Sequence, residues 1–121
     1  MQSLVIDDSR AMRLILRRML RELGFTVGEA TNGREGLDEL TATQPELVLL
    51  DWNMPEMSGI EFLQSMRRPP YASTAKVLMV TTESEVAQVI RALGAGADEY
   101  LMKPFTKAAV LDKLHLLGFE V

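Results

Sequence analysis

Leu47-Val48-Leu49-Leu50-Asp51 is the stretch on which the fold turns. Four apolar residues run without alternation, and an acid closes them. A strand with one wet face alternates polar and apolar side chains. An unbroken run fits a strand covered on both faces, as in a parallel sheet clad in helices. Working outward, Leu4-Val5-Ile6 and Val77-Leu78-Met79-Val80 have the same character, while 26–30 and 99–102 are weaker strands suited to the sheet edges. Between them the period changes. Met12, Ile15, Leu16, Met19, Leu20 and Leu23 form one apolar stripe at helical spacing, with Ser9 placed to cap its start and Gly24 to end it. Helical patterns follow at 34–40, 59–66, 86–93 and 107–117. Thr82-Glu83-Ser84-Glu85 offers a capping box for the fourth helix, and Gly94 and Gly96 close it. Five strands alternating with five helices, joined by right-handed crossovers, predict an α/β fold: a flavodoxin-like, doubly wound parallel sheet in the order 2-1-3-4-5. The longest connection, 67–75, holds Pro69-Pro70 and is a loop within one domain.

The 121 residues suit a single domain, 1–121. At 47% hydrophobic and 25% charged, the chain has a soluble globular composition. Cysteine is absent, which excludes a disulfide framework, a zinc ribbon and thiol catalysis. No apolar run approaches the roughly 18 residues that cross a bilayer, and the start lacks a secretory pattern. The expectation is a cytoplasmic protein without membrane insertion. Lys plus Arg number 13 against 17 for Asp plus Glu, a net charge of −4, so the basic excess of a direct nucleic-acid binder is missing. Gly94-x-Gly96 precedes a strand instead of following one, and no Gly-Lys-Ser/Thr loop exists, so nucleotide hydrolysis is unsupported.

In open α/β sheets, ligands bind beyond the carboxyl ends of the strands where strand order reverses, here between the first and third strands. Asp7 and Asp8 follow the first, and Asp51 follows the third. Neighbouring strands are about 4.8 Å apart, so these carboxylates share one small space. Two like charges 4 Å apart repel by about 4 kcal/mol at an effective dielectric of 20, so either one holds a proton or a cation sits among them. Hard oxygen donors suit Mg²⁺ better than zinc. Thr81 ends the fourth strand with a hydroxyl and Lys103 the fifth with an ammonium. Together they make a cradle for a tetrahedral anion, in which a carboxylate is a candidate covalent phosphate acceptor. A cis Lys103-Pro104 bond would aim the ammonium inward. Any one of these acids alone is as readily a helix cap or turn former. The whole set on one edge is not.

Val5-Ile6-Asp7-Asp8-Ser9, Asp51-Trp52-Asn53-Met54-Pro55, Met79-Val80-Thr81 and Tyr100-Leu101-Met102-Lys103-Pro104-Phe105, in that order, resemble the response-regulator receiver domains of two-component signalling. The resemblance spans essentially the whole chain and is closest to the chemotaxis receivers. It implies that Asp51 accepts a phosphoryl group from the phosphohistidine of a sensor histidine kinase or phosphotransfer protein. Asp8, Asp51 and the Asn53 backbone carbonyl would hold Mg²⁺ directly, and Asp7 through a metal-bound water. Lys103 would pair with phosphoryl oxygens, Thr81 would hydrogen-bond one of them, and Tyr100 would turn inward as Thr81 moves. The face over 83–117 would then bind a downstream target protein. The implied protein is a monomeric phosphoacceptor of chemotaxis or motility type. It is a signalling domain that assists its own phosphorylation and dephosphorylation, not an enzyme. Asn53 and Glu83 occupy positions that tune water access and point to a short-lived phosphoryl group. Thr82, where small residues are frequent, points the other way.

Met1 lies two residues before the first strand and Val121 just past the last helix, so a stand-alone receiver is expected. One alternative is a receiver excised from a multidomain regulator with a DNA-binding or enzymatic output. Another is an Mg²⁺-dependent phosphohydrolase, whose relatives carry a second acid where this chain has Asn53. Arg13 and Arg17 step by four along the first helix, a basic face suited to kinase docking. Trp52, the only tryptophan, is expected to pack beside the pocket, and His115, the only histidine, to be structural. Of the net charge, Asp7, Asp8, Asp51 and Lys103 account for −2, which one Mg²⁺ would balance.

Overall fold

Unbroken apolar strands must be covered on both faces, and the computed structural model covers them with two helical layers. It describes residues 1–52, 54, 56–82 and 86–121. The elements are β1 (Gln2–Ile6), α1 (Arg10–Glu22), β2 (Thr26–Ala30), α2 (Gly33–Thr43), β3 (Leu47–Asp51), α3 (Gly59–Arg67), β4 (Lys76–Thr82), α4 (Val86–Ala95), β5 (Glu99–Lys103) and α5 (Lys107–Leu116). The sheet order is β2-β1-β3-β4-β5, with every pairing parallel, as the sequence predicts. Every residue of β3 is buried, whereas β2 and β5 bury one each, which is why their sequences are less apolar.

Alternate strand residues feed two separate cores. Leu4, Ile6, Val48, Leu50, Val77 and Met79 pack with Leu37 and Leu40 of α2, Phe62, Leu63 and Met66 of α3, and Val89 and Ala92 of α4. Val5, Leu47, Leu49, Leu78 and Val80 pack on the opposite face with Leu16 and Leu20 of α1 and Val110 and Leu114 of α5. No helix among the described residues is long and apolar enough to cross a membrane.

Helix ends follow the capping chemistry. Ser9 accepts from the Met12 N–H, as its position predicts, and Gly24 (φ +97°) follows the end of α1. α2 begins at Gly33, capped by Asn32 accepting from the Glu35 N–H, and runs to Thr43, longer than the predicted 34–40, ending where Gln44 turns left-handed at φ +47°. α3 carries a full capping box between Ser58 and Glu61. α4 runs past Gly94 to Ala95, and Gly96 turns the chain at φ +118°. The capping box expected at 82–85 falls largely on Glu83, Ser84 and Glu85, outside the described residues. At the edge of the sheet away from the acids, Arg67 donates to the carbonyls of Ser73, Ala75 and Gly96 and to Asp98 Oδ2. Asp98 Oδ2 also accepts from the Val77 N–H, so one guanidinium ties the ends of α3 and α4 to the start of β4. The Pro69-Pro70 and Lys103-Pro104 bonds are both cis.

Gly36 lets α2 approach the sheet. A Cβ there would stand 2.6 Å from Ile6 Cδ1 and 2.8 Å from Phe62 Cε1, both on fully buried side chains. Alanine gains about 1 kcal/mol over glycine in a helix, and overpacking costs about 1–3 kcal/mol. Gly36→Ala is therefore expected to lower stability by up to about 2 kcal/mol in urea unfolding. Gly94→Ala, with nothing within 4 Å of the new methyl, is expected to raise it by up to about 1 kcal/mol.

Candidate functional site

The reversal of strand order places β1 beside β3, with Ile6 opposite Leu50, so Asp7 and Asp51 emerge side by side. Asp7 is fixed on three sides. Its N–H donates to the Ala30 carbonyl, its own carbonyl accepts from Arg13 Nη1 at 2.8 Å, and Oδ1 accepts from the Ser9 N–H at 2.8 Å. Asp51 is the last residue of β3, opposite Val80 in the β3–β4 register and only 6% exposed. Asp8 is exposed. One carboxylate oxygen from each of Asp7, Asp8 and Asp51 lies within 4.8 Å of the others.

Lys103, the last residue of β5, brings its ammonium to 3.5 Å from Asp51 Oδ1 and 3.9 Å from Asp7 Oδ2. A single ammonium cannot neutralise three carboxylates. Burial raises the Asp7 pKa above the usual carboxylate value, and the Asp8 charge adds to this, while the Ser9 N–H, Lys103 and Arg13 oppose it. Asp7 Oδ2 is buried with no hydrogen-bond partner among the described residues. A buried oxygen without a hydrogen bond, excess negative charge and an all-oxygen donor set fit a hard divalent cation. Thr81 is buried one strand away, opposite Met102 of β5, and Thr82, opposite Lys103, is half-buried.

The remaining predicted residues distribute as follows. Tyr100 is half-buried on β5 and packs against the α2–α3–α4 core. The Lys113 ammonium sits 4.3 Å from its ring centroid and also pairs with Glu99. Trp52 is half-buried against the same core and covers Gly59, in keeping with a packing role. Phe105 packs into the opposite core, and His115 is exposed, with Nε2 3.1 Å from the Val121 carbonyl oxygen. Arg13 and Arg17 both turn to Glu29 of β2, at 3.4 and 3.0 Å. Sequence reasoning missed that pairing, along with the Lys113–Tyr100 contact. The expected backbone carbonyl of Asn53 and side chain of Glu83 lie outside the described residues.

Acids at the switch point of a 2-1-3-4-5 sheet, answered from the next strands by a hydroxyl and an ammonium, make a cradle suited to a cation and a tetrahedral anion. Residues 3–115 match the response regulator receiver domain, and the chain belongs to that family. It is 44% identical over 116 residues to a chemotaxis protein CheY homolog of Campylobacter jejuni (strain 81-176), covering 94% of this chain and 89% of that one. The structure superposes on the Vibrio cholerae chemotaxis protein CheY4 with a TM-score of 0.87 at 30% identity, covering 95% and 96% of the two chains. A putative two-component response regulator/GGDEF domain protein matches with a TM-score of 0.88 at 29% identity. The match covers 97% of this chain and 49% of that longer one.

Without metal, ionised Asp7 opposes folding, because its pKa is raised in the folded state. Asp7→Asn is therefore expected to raise the melting temperature in chelator-treated buffer at neutral pH. The advantage should shrink as pH falls through the raised folded-state value, because protonation relieves the wild-type carboxylate there. Thermal unfolding across that range checks both the sign and the pH dependence.

Proposed function

We propose that Asp51 is the phosphoacceptor of this receiver, taking the phosphoryl group from a phosphohistidine on a sensor histidine kinase or phosphotransfer protein. The observation that carries this is a buried Asp51 carboxylate, 3.5 Å from the Lys103 ammonium, beside two further acids. A carboxylate oxygen of Asp51 attacks phosphorus in line as the phosphorus–nitrogen bond breaks, and the imidazole leaves with the electron pair. The transition state is loose, with charge spread over three equatorial oxygens. Lys103 then has phosphoryl oxygens within reach of its ammonium, and Thr81 supplies a hydroxyl for one of them. Asp7, Asp8 and Asp51 would hold Mg²⁺, completed by the Asn53 carbonyl. When bound, the ion supplies charge neutralisation for the acids and the transferring group.

The response is a shift between two pre-existing conformations. Contacts of Thr81 and Lys103 with the phosphoryl group favour one, and Tyr100 follows Thr81. The face presented by α4, β5 and α5 binds the target protein, in a chemotaxis- or motility-type pathway, by a cytoplasmic monomer. Exposed Ile90 and Leu93 on α4 and Leu116 on α5 provide apolar contact surface there. Kinase docking uses the basic side of α1, where Arg17 is the more exposed of the two predicted arginines and Arg13 is turned inward. A receiver within a longer regulator is the second reading, favoured by the response regulator/GGDEF protein in which this fold occupies about half the chain. The mass of the native protein separates the two.

The direct test is Trp52 fluorescence on addition of Mg²⁺ and then acetyl phosphate, with Asp51→Asn as control. The wild type should respond to both and the variant should lose the phosphoryl response. Silence to metal, or an equal phosphoryl response in the variant, overturns the proposal. After removal of acetyl phosphate the signal should decay within minutes, and Thr82→Ala should shorten that time several-fold. Persistence for hours would contradict the reading of Asn53 and Glu83. Arg17→Glu should slow transfer from the kinase more than it slows the reaction with acetyl phosphate.

A further inference from the structure

A cation placed beside a cation-binding site is electrostatically wrong, which makes the inward turn of Arg13 informative. Its side chain is 14% exposed, although it lies in the first turns of a surface helix. Nη1 donates to the Asp7 carbonyl at 2.8 Å, and Nε lies 3.4 Å from Glu29 Oε1. Glu29 is itself held by Arg17 Nη1 at 3.0 Å, and it stands on β2 opposite Val5 of β1. The chain Arg17–Glu29–Arg13 therefore ends on one backbone oxygen, that of the peptide joining Asp7 to Asp8.

We propose that Arg13 is a positioning residue: by holding the Asp7 carbonyl it fixes the Asp7–Asp8 peptide plane, and so presents the two carboxylates to a divalent cation. The inference rests on the metal reading of the site given above. With the N–H given to Ala30, the carbonyl to Arg13 and Oδ1 to the Ser9 N–H, Asp7 keeps one carboxylate oxygen without a hydrogen bond among the described residues, on the side of Lys103. Asp8 is exposed, and its direction is inherited from the peptide that precedes it. If that peptide were free to rotate, its ordering entropy would be charged against each binding event. The guanidinium removes this cost at the expense of some repulsion toward the incoming ion. Lysine cannot substitute, since only the planar fork of arginine reaches the carbonyl with one nitrogen and the carboxylate with another.

The two effects of Arg13 have opposite signs, which makes the experiment decisive. Mg²⁺ affinity is measured by calorimetry, with Trp52 fluorescence as a second readout, on the wild type, Arg13→Lys, Arg13→Met and Glu29→Gln. Positioning predicts that Arg13→Lys and Arg13→Met both weaken Mg²⁺ binding, by about tenfold. Glu29→Gln, which leaves Arg13 in place but loosens it, should weaken binding less. A purely electrostatic role predicts wild-type affinity for Arg13→Lys and tighter binding for Arg13→Met, and either result overturns the proposal. A wild type that does not bind Mg²⁺ overturns the metal reading and this inference with it. A wild type that binds while Arg13→Lys matches it overturns this inference alone. Melting temperatures identify any variant that fails to fold, and Glu29→Gln then carries the comparison.

Discussion

Three carboxylates confined at one crossing point are the constraint around which this receiver is organised. Asp7 and Asp51 are buried, Asp8 is within reach of both, and Lys103 is the ammonium set against Asp7 and Asp51. Like charges at such separations repel by several kcal/mol, a large fraction of a small domain's net stability. The fold sustains this because the strands beneath the acids are its most thoroughly buried segments. Leu4, Val5 and Ile6 of β1 and Leu47 through Leu50 of β3 are fully inaccessible. The repulsion is thus concentrated where the scaffold yields least, and a site held apart against its own field is ready for a cation.

Much of this was legible in the chain. β1, β3 and β4 announce themselves as unbroken apolar runs, which need cover on both faces, and the helical stripes between them supply it. Five strands alternating with helices fit the flavodoxin-like order, and the convergence of Asp7, Asp8 and Asp51 follows from strand order. The site could be located before any side chain was placed, because strand ends are a property of topology. β2 and β5 were fainter because only one residue of each is buried.

What escaped the sequence were contacts between elements distant along the chain. Glu29 looks like one charged position in a weak edge strand, and nothing local reveals that two arginines of α1 close on it. Lys113 over Tyr100 has the same origin, a helix laid across an edge strand. The start of α2 was misjudged for a different reason. Asn32 with Glu35 is a capping signal in its own right, but Gly33 between them reads as a turn residue.

The Arg67 anchor has a mechanical consequence. By binding the Gly96 carbonyl and Asp98, it makes the end of α4 farthest from the acids a fixed bearing. For a tilt about such a bearing, displacement vanishes at the bearing and grows in proportion to distance from it. α4 has ten residues, about 15 Å, so a tilt of about 5° moves its free end by roughly 1 Å. That free end follows β4, the strand that carries Thr81. A small movement at the acidic edge would therefore tilt a whole helical surface about that bearing, with the opposite edge of the sheet left at rest.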